Sequence, residues 1–415
     1  MFTQLNKTYH EFPTRFWVVV LARFIDGIGN TLLFPFFALY ITQKFNVGMT
    51  QAGVMLGMSS LAGLFGGIFG GALADRFGRR SIILFGLVFS AVSSIALGLV
   101  NELSVMYAVS IVVGLVGSIG HPAHGAMVAD ILPEEKRQEG FGILRIVGNM
   151  SWLVGPTIGG FVASKSFLAL FIADAVMSCI VAGIVYVFIA ESKPLPHADE
   201  AQTSLWQTIG GYNVALRDLP FMAFIVASIL MTTVYQQMYN SLSVFLRDTH
   251  GIDPQGYGML LSTSAITVIL FQFWVTRRIK HQPPFTMMGL GAVFYAIGFV
   301  LFGIVTHFAL FAVNIVIITI GEMIIMPVSQ ALVADFAPEE MRGRYMAISG
   351  MTWMVPATLG PGLAGYMLDN YNPNLLWYVG GLLCVIAAFS FYLLHMRLGK
   401  RQQFNPSETE MAGTD

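Results

Sequence analysis

Charge is what this 415-residue sequence most lacks: Asp, Glu, Lys and Arg make up 11% of it, against about 25% in ordinary soluble proteins. With 55% hydrophobic residues and a mean hydropathy of +0.70, that scarcity excludes a soluble globular enzyme as the default. Net charge is −1 and the pI about 6.7, so the basic face that nucleic-acid binding usually requires is missing and no nucleic-acid partner is expected. Cysteine is nearly absent too. Cys179 and Cys384 both fall inside apolar stretches, which excludes a disulfide framework. The amino-terminal MFTQLNKTYHEFPTR lacks the short apolar run and small-residue cleavage site of a secretory signal, so the first apolar segment is expected to remain in the mature protein.

What the sequence has is long apolar runs. A membrane-spanning helix takes ~20 mostly apolar residues, and runs between charged or Pro/Gly-marked breaks predict twelve spans, numbered here in chain order: 14–42, 50–72, 81–100, 104–130, 138–163, 167–190, 220–246, 256–278, 286–306, 308–335, 342–367 and 375–396. The expected fold is an all-α polytopic membrane protein of twelve transmembrane helices. Twelve spans put both termini on one face. On that face fall most Lys and Arg residues, among them Arg76, Arg79, Arg80, Lys136, Arg137, Arg277, Arg278, Arg342 and Arg344, whereas the far face keeps Lys44, Lys165 and Arg247. Basic loops stay inside, so both termini are expected to be cytoplasmic. Compact loops suggest a cell (inner) membrane of a prokaryote.

Sliding the sequence against itself by 205 residues aligns AMVADILPEEKR (126–137) with ALVADFAPEEMR (331–342), identical at 8 of 12 positions. The same offset superposes Gly53 on Gly258, Pro122 on Pro327, and Gly155-Pro156 on Gly360-Pro361. Spans 1–6 and 7–12 are therefore two copies of one unit. The expected organisation is two pseudo-symmetric six-helix bundles, 1–190 and 219–415, the second ending in a short disordered tail. A cytoplasmic linker, 191–218, joins them. Parallel repeats of this kind usually hold a substrate near the bilayer midplane between the halves.

Between spans 2 and 3 stands GALADRFGRR (71–80). Physically it is a tight turn, with a glycine free to take positive φ, an acid able to meet a helix N-terminus and arginines that hold the inner face. The sequence here resembles the major facilitator superfamily of transporters, whose motif A has the form G-x-x-x-D-R/K-x-G-R-R. The repeat extends the resemblance over the whole chain, although KHQPPF (280–285) has lost the motif in the second half. The resemblance implies that Gly71, Asp75, Arg76, Gly78, Arg79 and Arg80, with Asp130 at the end of span 4, form the conformational motif that latches the outward-open state. Gly155, Pro156, Gly159 and Gly160 of span 5 look like motif C, associated with antiporters and exporters. Small residues there permit close packing and the proline removes an amide donor, so a kink or hinge is expected, with packing and gating both open. Ile28-Gly29 followed by Pro35 resembles the span 1 motif of twelve-helix drug:proton antiporters, with Ala38 in place of its second proline. One departure concerns span 4, where Ser110 stands in place of the arginine that many drug antiporters carry four residues before Gly114. Any proton coupling must then use other groups.

Ionisable residues inside spans are the informative ones, because a charge near the bilayer centre costs ~2.5–3.5 kcal/mol even on the insertion scale unless paired or hydrated. Glu322 lies thirteen residues before Asp335, roughly 20 Å along a helix at 1.5 Å per residue. It is expected near mid-membrane, as a neutral acid at rest, with proton-carrier, cation-binding and structural hydrogen-bonding roles open. Asp26, three residues after Arg23, suits a local ion pair or one that exchanges partners, with Arg145 of span 5 entering from a similar depth. Asp174 of span 6 is expected to cap or join an interface. His121 and His124 of span 4 titrate in the neutral range when unperturbed and are relay candidates or simple interhelical hydrogen-bonders. They make no metal site alone. Tyr235, Gln236, Tyr239 and Asn240 of span 7, with Asn149, Trp152, Gln272 and Trp353, suit either a cavity for amphiphiles or helix packing.

These residues together point to a secondary active transporter working by alternating access, exporting amphiphilic or multidrug-like compounds in exchange for protons. A lipid or lipid-linked sugar flippase of the same fold is the rival within transport; a non-transporting membrane sensor or a membrane-embedded enzyme is the rival outside it. No nucleophile-and-base or metal constellation lies within the spans, so catalysis is not expected. The expected partners are a small amphiphilic or lipid-like substrate, protons and membrane lipids. No cofactor is expected beyond a proton gradient, and the chain is expected to be a monomer.

Overall fold

The computed structural model describes residues 11–191, 214–338 and 341–403, with the side chains of Asp75, Gln138, Arg342 and residues 399–403 outside that description. Most of the expected linker, including its TSLWQTIGG stretch, and the carboxyl-terminal tail also lie outside the described residues. Among the described residues the elements are all helical. Eleven helices are long and apolar enough to cross a membrane. The twelfth, span 11, is divided into Arg342–Ser349 and Met351–Asn370. Gly, Pro, Thr and Asn dilute its apolar content.

Two other spans are also built from pieces. Span 1 runs Thr14–Leu33, takes a 3-10 turn at Phe34–Phe36 and resumes as Phe37–Phe45. Pro35 is the cause, since its ring excludes an amide donor from the regular ladder. Span 4 is Leu103–Gly117 followed by Gly120–Ile131, broken just before His121-Pro122. Span 5, by contrast, is one continuous helix, Glu134–Ala163, with Pro156 inside it. The helix thus runs unbroken through Pro156, while breaks fall at Pro35 and at residues 118–119. Spans 2 and 3 meet at Gly78, whose φ of 95° suits only glycine and where a β-carbon would run into the Glu191 carboxylate.

The described residues fall into two compact units. One comprises those within Met1–Glu200, Met238–Ala265 and Ala357–Asn370; the other those within Ala201–Gln237, Ile266–Pro356 and Tyr371–Asp415. The far-face portions of spans 7, 8 and 11 thus cluster with the first repeat. The first unit has an apolar core near the terminal face, where Phe16, Ile83, Ala123, Met127 and Val181 are essentially buried. In the second unit spans 9, 10 and 12 bury Phe299, Phe302, Phe311 and Trp377, with Phe299 and Trp377 stacked at 6.2 Å. Many large apolar side chains stay exposed, such as Ile68, Phe69, Val187, Leu270, Phe273 and Trp274, as lipid-facing helices require.

Candidate functional site

Glu322 lies in the long helix Phe308–Phe336, flanked by buried Gly321 and Met323. Tyr235 of Leu219–Asn240 hydrogen-bonds its carboxyl group. Around that bond the second unit gathers rings and amides. Tyr235 stacks on Tyr295 at 5.4 Å and meets Trp353 edge-on at 6.2 Å. Gln236 donates to the Trp353 carbonyl at 3.1 Å, and Gln272 donates to the carbonyl of Met323, next to the acid, at 3.2 Å. Among the described residues no ion pair reaches Glu322.

The first unit holds the other acid. Arg23 donates to Asp26 at 3.3 Å, with the arginine side chain 48% and the aspartate 16% exposed. His121 of span 4 interacts electrostatically with both, and His124 with Arg23 and His121. The local ion pair and the two histidines therefore form one cluster between spans 1 and 4. Arg145 is exposed. The remaining cavity candidates divide. Trp152 meets Tyr239 at 4.9 Å and Phe34 at 6.4 Å within the first unit, Asn149 is exposed, and Asn240 is buried.

At the far face the first unit shows two crossings built alike. A β-carbon on Gly258 would fall 2.5 Å from the Pro156 carbonyl oxygen, and one on Gly160 2.7 Å from the Pro254 carbonyl. The equivalent positions 205 residues away, Gly53 against Pro361 and Gly365 against Met49, overlap in the same manner. Spans 5 and 8, and spans 2 and 11, therefore touch backbone to backbone. Thr157 and Ser262 add a hydroxyl pair at 2.6 Å, and Asp369 at the end of span 11 accepts from Met49 N at 2.9 Å and Thr50 N at 2.7 Å, capping span 2. The other motif C glycines serve a different contact. Gly155 and Gly159 admit Thr31 and Leu32 of span 1, where Thr31 donates to the Ser151 carbonyl at 2.9 Å and Ser151 to that of Phe24 at 3.1 Å.

The sequence profile of the Major Facilitator Superfamily matches residues 19–321 and 236–413, nearly the whole chain. The chain belongs to that superfamily. It is a multi-pass membrane protein, and the superfamily and its similar proteins are transporters. A Na+, Li+, K+/H+ antiporter of Planococcus maritimus is 25% identical, covering 94% of this chain and 97% of that one. Multidrug resistance protein MdtH of Shigella flexneri is 21% identical over 90% and 92%. A crystal structure of a POT family transporter in complex with 5-aminolevulinic acid superposes with a TM-score of 0.78 at 16% identity, covering 93% of this chain and 96% of that one, which fixes the fold.

The superfamily's motif A turn has specific partners here. Arg79 pairs with Asp130, at 3.3 Å. Arg80 instead donates to the Tyr186 carbonyl at 2.6 Å and lies over that ring, tying span 3 to span 6, while Arg76 lies over Phe77. Gly71 is half-buried. The side chain of Asp75 lies outside the described residues. Two features escaped the sequence reading: the cap by Asp369, and a set of serines around Asp174. Of the two roles expected for Asp174, the interface one is seen: it faces inward and accepts from Ser94 of span 3. The far-face crossings had a legible signal, because the repeat offset pairs Gly53 with Gly258 and Pro156 with Pro361.

Proposed function

We propose that this chain exports amphiphilic, multidrug-like compounds across the cell membrane in exchange for protons, with both termini cytoplasmic and Glu322 as the proton carrier. The observation that carries the reading is the Glu322–Tyr235 bond inside a ring-and-amide cluster. The carboxyl is neutral when protonated and can cross a dehydrated, occluded state; deprotonated, it needs water or a cationic group of the substrate to replace its lost solvation. Tyr235, Tyr295 and Trp353 offer flat apolar surface, and Gln236 and Gln272 offer polar handles, a mixture that accepts amphiphiles without demanding one shape. Substrate and proton then compete for one carboxylate, which is sufficient for exchange. The antiporter and drug-resistance names of the similar proteins agree with this, and the missing span 4 arginine makes a separate acid necessary.

Glu322→Gln mimics the permanently neutral acid. Proteoliposomes carrying it are expected to lose accumulation of a lipophilic cation such as ethidium driven by a pH gradient, while downhill exchange persists. Gradient-driven accumulation by Glu322→Gln equal to that of the unaltered protein would overturn the assignment and move it to Asp26 or to the His121/His124 pair.

A further inference from the structure

The first repeat encloses a second inward-facing carboxylate that the proposed exchange does not use. Asp174 of span 6 is 8% exposed and accepts a hydrogen bond from Ser94 of span 3. Ser178, one turn further along span 6, donates to Ser90 at 3.2 Å. Span 1 reaches the group through Gly29, where a β-carbon would lie 2.7 Å from Asp174 Oδ1. Beside the carboxylate is a cavity of about 160 Å³, whose polar side is made by Asn30, Ser59, Ser90 and Ser110 from spans 1, 2, 3 and 4 and whose other side is apolar. Of its lining, Asn30 and Phe34 are exposed. Ser110 is 2% exposed and its hydroxyl has no hydrogen-bond partner. A buried hydroxyl left without a partner is costly, so an oxygen kept in that state beside a cavity has a guest to meet.

We propose that this cavity binds one alkali-metal cation, with sodium as the fitting size class. The donors are all hard oxygens, carboxylate, hydroxyl and amide carbonyl, which suit cations of low polarisability and not transition metals. The charge count selects a monovalent ion. Asp174 supplies one negative charge. Asp26, one helical turn before Gly29 on span 1, interacts with Asp174, but its charge is offset by Arg23 at 3.3 Å. A divalent ion would leave an uncompensated positive charge inside an apolar bundle, whereas a monovalent one neutralises the site. The volume admits the ion with several waters. Bound there, the cation bridges spans 1, 3, 4 and 6 and gives the Ser110 oxygen a partner.

The test is direct binding of 22Na+ to purified full-length protein in detergent, in choline chloride at constant ionic strength, with unlabelled Na+ as competitor. The expected result is saturable binding of about one ion per chain. Asp174→Asn, which keeps the shape and removes the charge, is expected to weaken it at least tenfold. Ser110→Ala removes only an unpartnered hydroxyl, so the cation-free protein is expected to melt at or above its normal temperature while Na+ binding weakens several-fold. That combination separates a ligand oxygen from a structural one. Ser390→Ala, in span 12, where the hydroxyl bonds only its own helix, is expected to bind normally. Absence of saturable Na+ binding in the unaltered protein, or unchanged binding in both Asp174→Asn and Ser110→Ala, overturns the proposal and leaves a neutral acid among serines. Because the readout is binding in the first unit, its failure and a failure of the Glu322 reading are independent.

Discussion

Replacing Gly258 by alanine asks how firmly the far face is held shut. Its new β-carbon would sit 2.5 Å from the Pro156 carbonyl oxygen and 3.1 Å from the Gly160 α-carbon, ~0.8 Å inside the ~3.3 Å at which carbon and a carbonyl oxygen ordinarily meet. Both obstacles are backbone. Neither can rotate away as a side chain would, so spans 5 and 8 must separate along their whole contact, breaking the neighbouring Thr157–Ser262 hydroxyl pair at 2.6 Å. Overpacking of this size typically costs ~1–3 kcal/mol, and the cost falls only on the state in which the far face is closed. A differential of that size shifts a two-state equilibrium ~5–150-fold. The assay is double electron–electron resonance between spin labels at Lys165 and Thr249, both exposed on far-face ends within one compact unit, in a background lacking Cys179 and Cys384. The short-distance population is expected to fall in Gly258→Ala and nearly vanish in Gly258→Val, with helicity unchanged. Identical distance distributions in both variants would refute the argument that backbone contact holds this face closed. Gly53→Ala, the repeat-related change, is expected to act in the same direction through Pro361.

Two further outcomes follow from single contacts. Asp369→Asn removes the charge that accepts from Met49 N, Thr50 N and, at 2.6 Å, the Thr50 hydroxyl; bonds to a charged acceptor are worth ~1.5–3 kcal/mol, so melting is expected a few degrees lower and a cysteine at Thr50 more reactive from the far face, and an unchanged reactivity would dismiss the latch. Tyr235→Phe keeps the stack on Tyr295 but deletes the bond to Glu322; at ~1 kcal/mol for one hydrogen bond pH-driven drug exchange is expected to slow about fivefold, and an unaltered rate would mean that the bond is idle in transport.

Much of this protein was legible as sequence because the bilayer imposes a one-dimensional rule. Each span must satisfy its own backbone, so length and hydropathy alone reveal it, and duplication writes the repeat as an offset of 205 residues. Glu322 stood out for the same reason: an ionisable group deep in an apolar run is costly wherever its neighbours are. Proline positions were less transparent. Pro35 breaks its span while Pro156 lies within an unbroken helix, because a lost hydrogen bond can be compensated by how a helix is packed.

Partners across spans were decided by tertiary structure alone. Nothing local to residue 322 names Tyr235, 87 positions earlier, and nothing near Asp130 says that Arg79 will reach it. Serines at 90, 94 and 110 look like ordinary small residues for close helix contact until the fold turns them toward Asp174. Hydropathy reports how each residue fares against lipid. Side-chain chemistry between helices depends on rotation about each helix axis, where 100° per residue separates a lipid-facing position from a buried one, and that rotation is fixed only when glycines such as Gly53 and Gly258 bring particular backbones into contact.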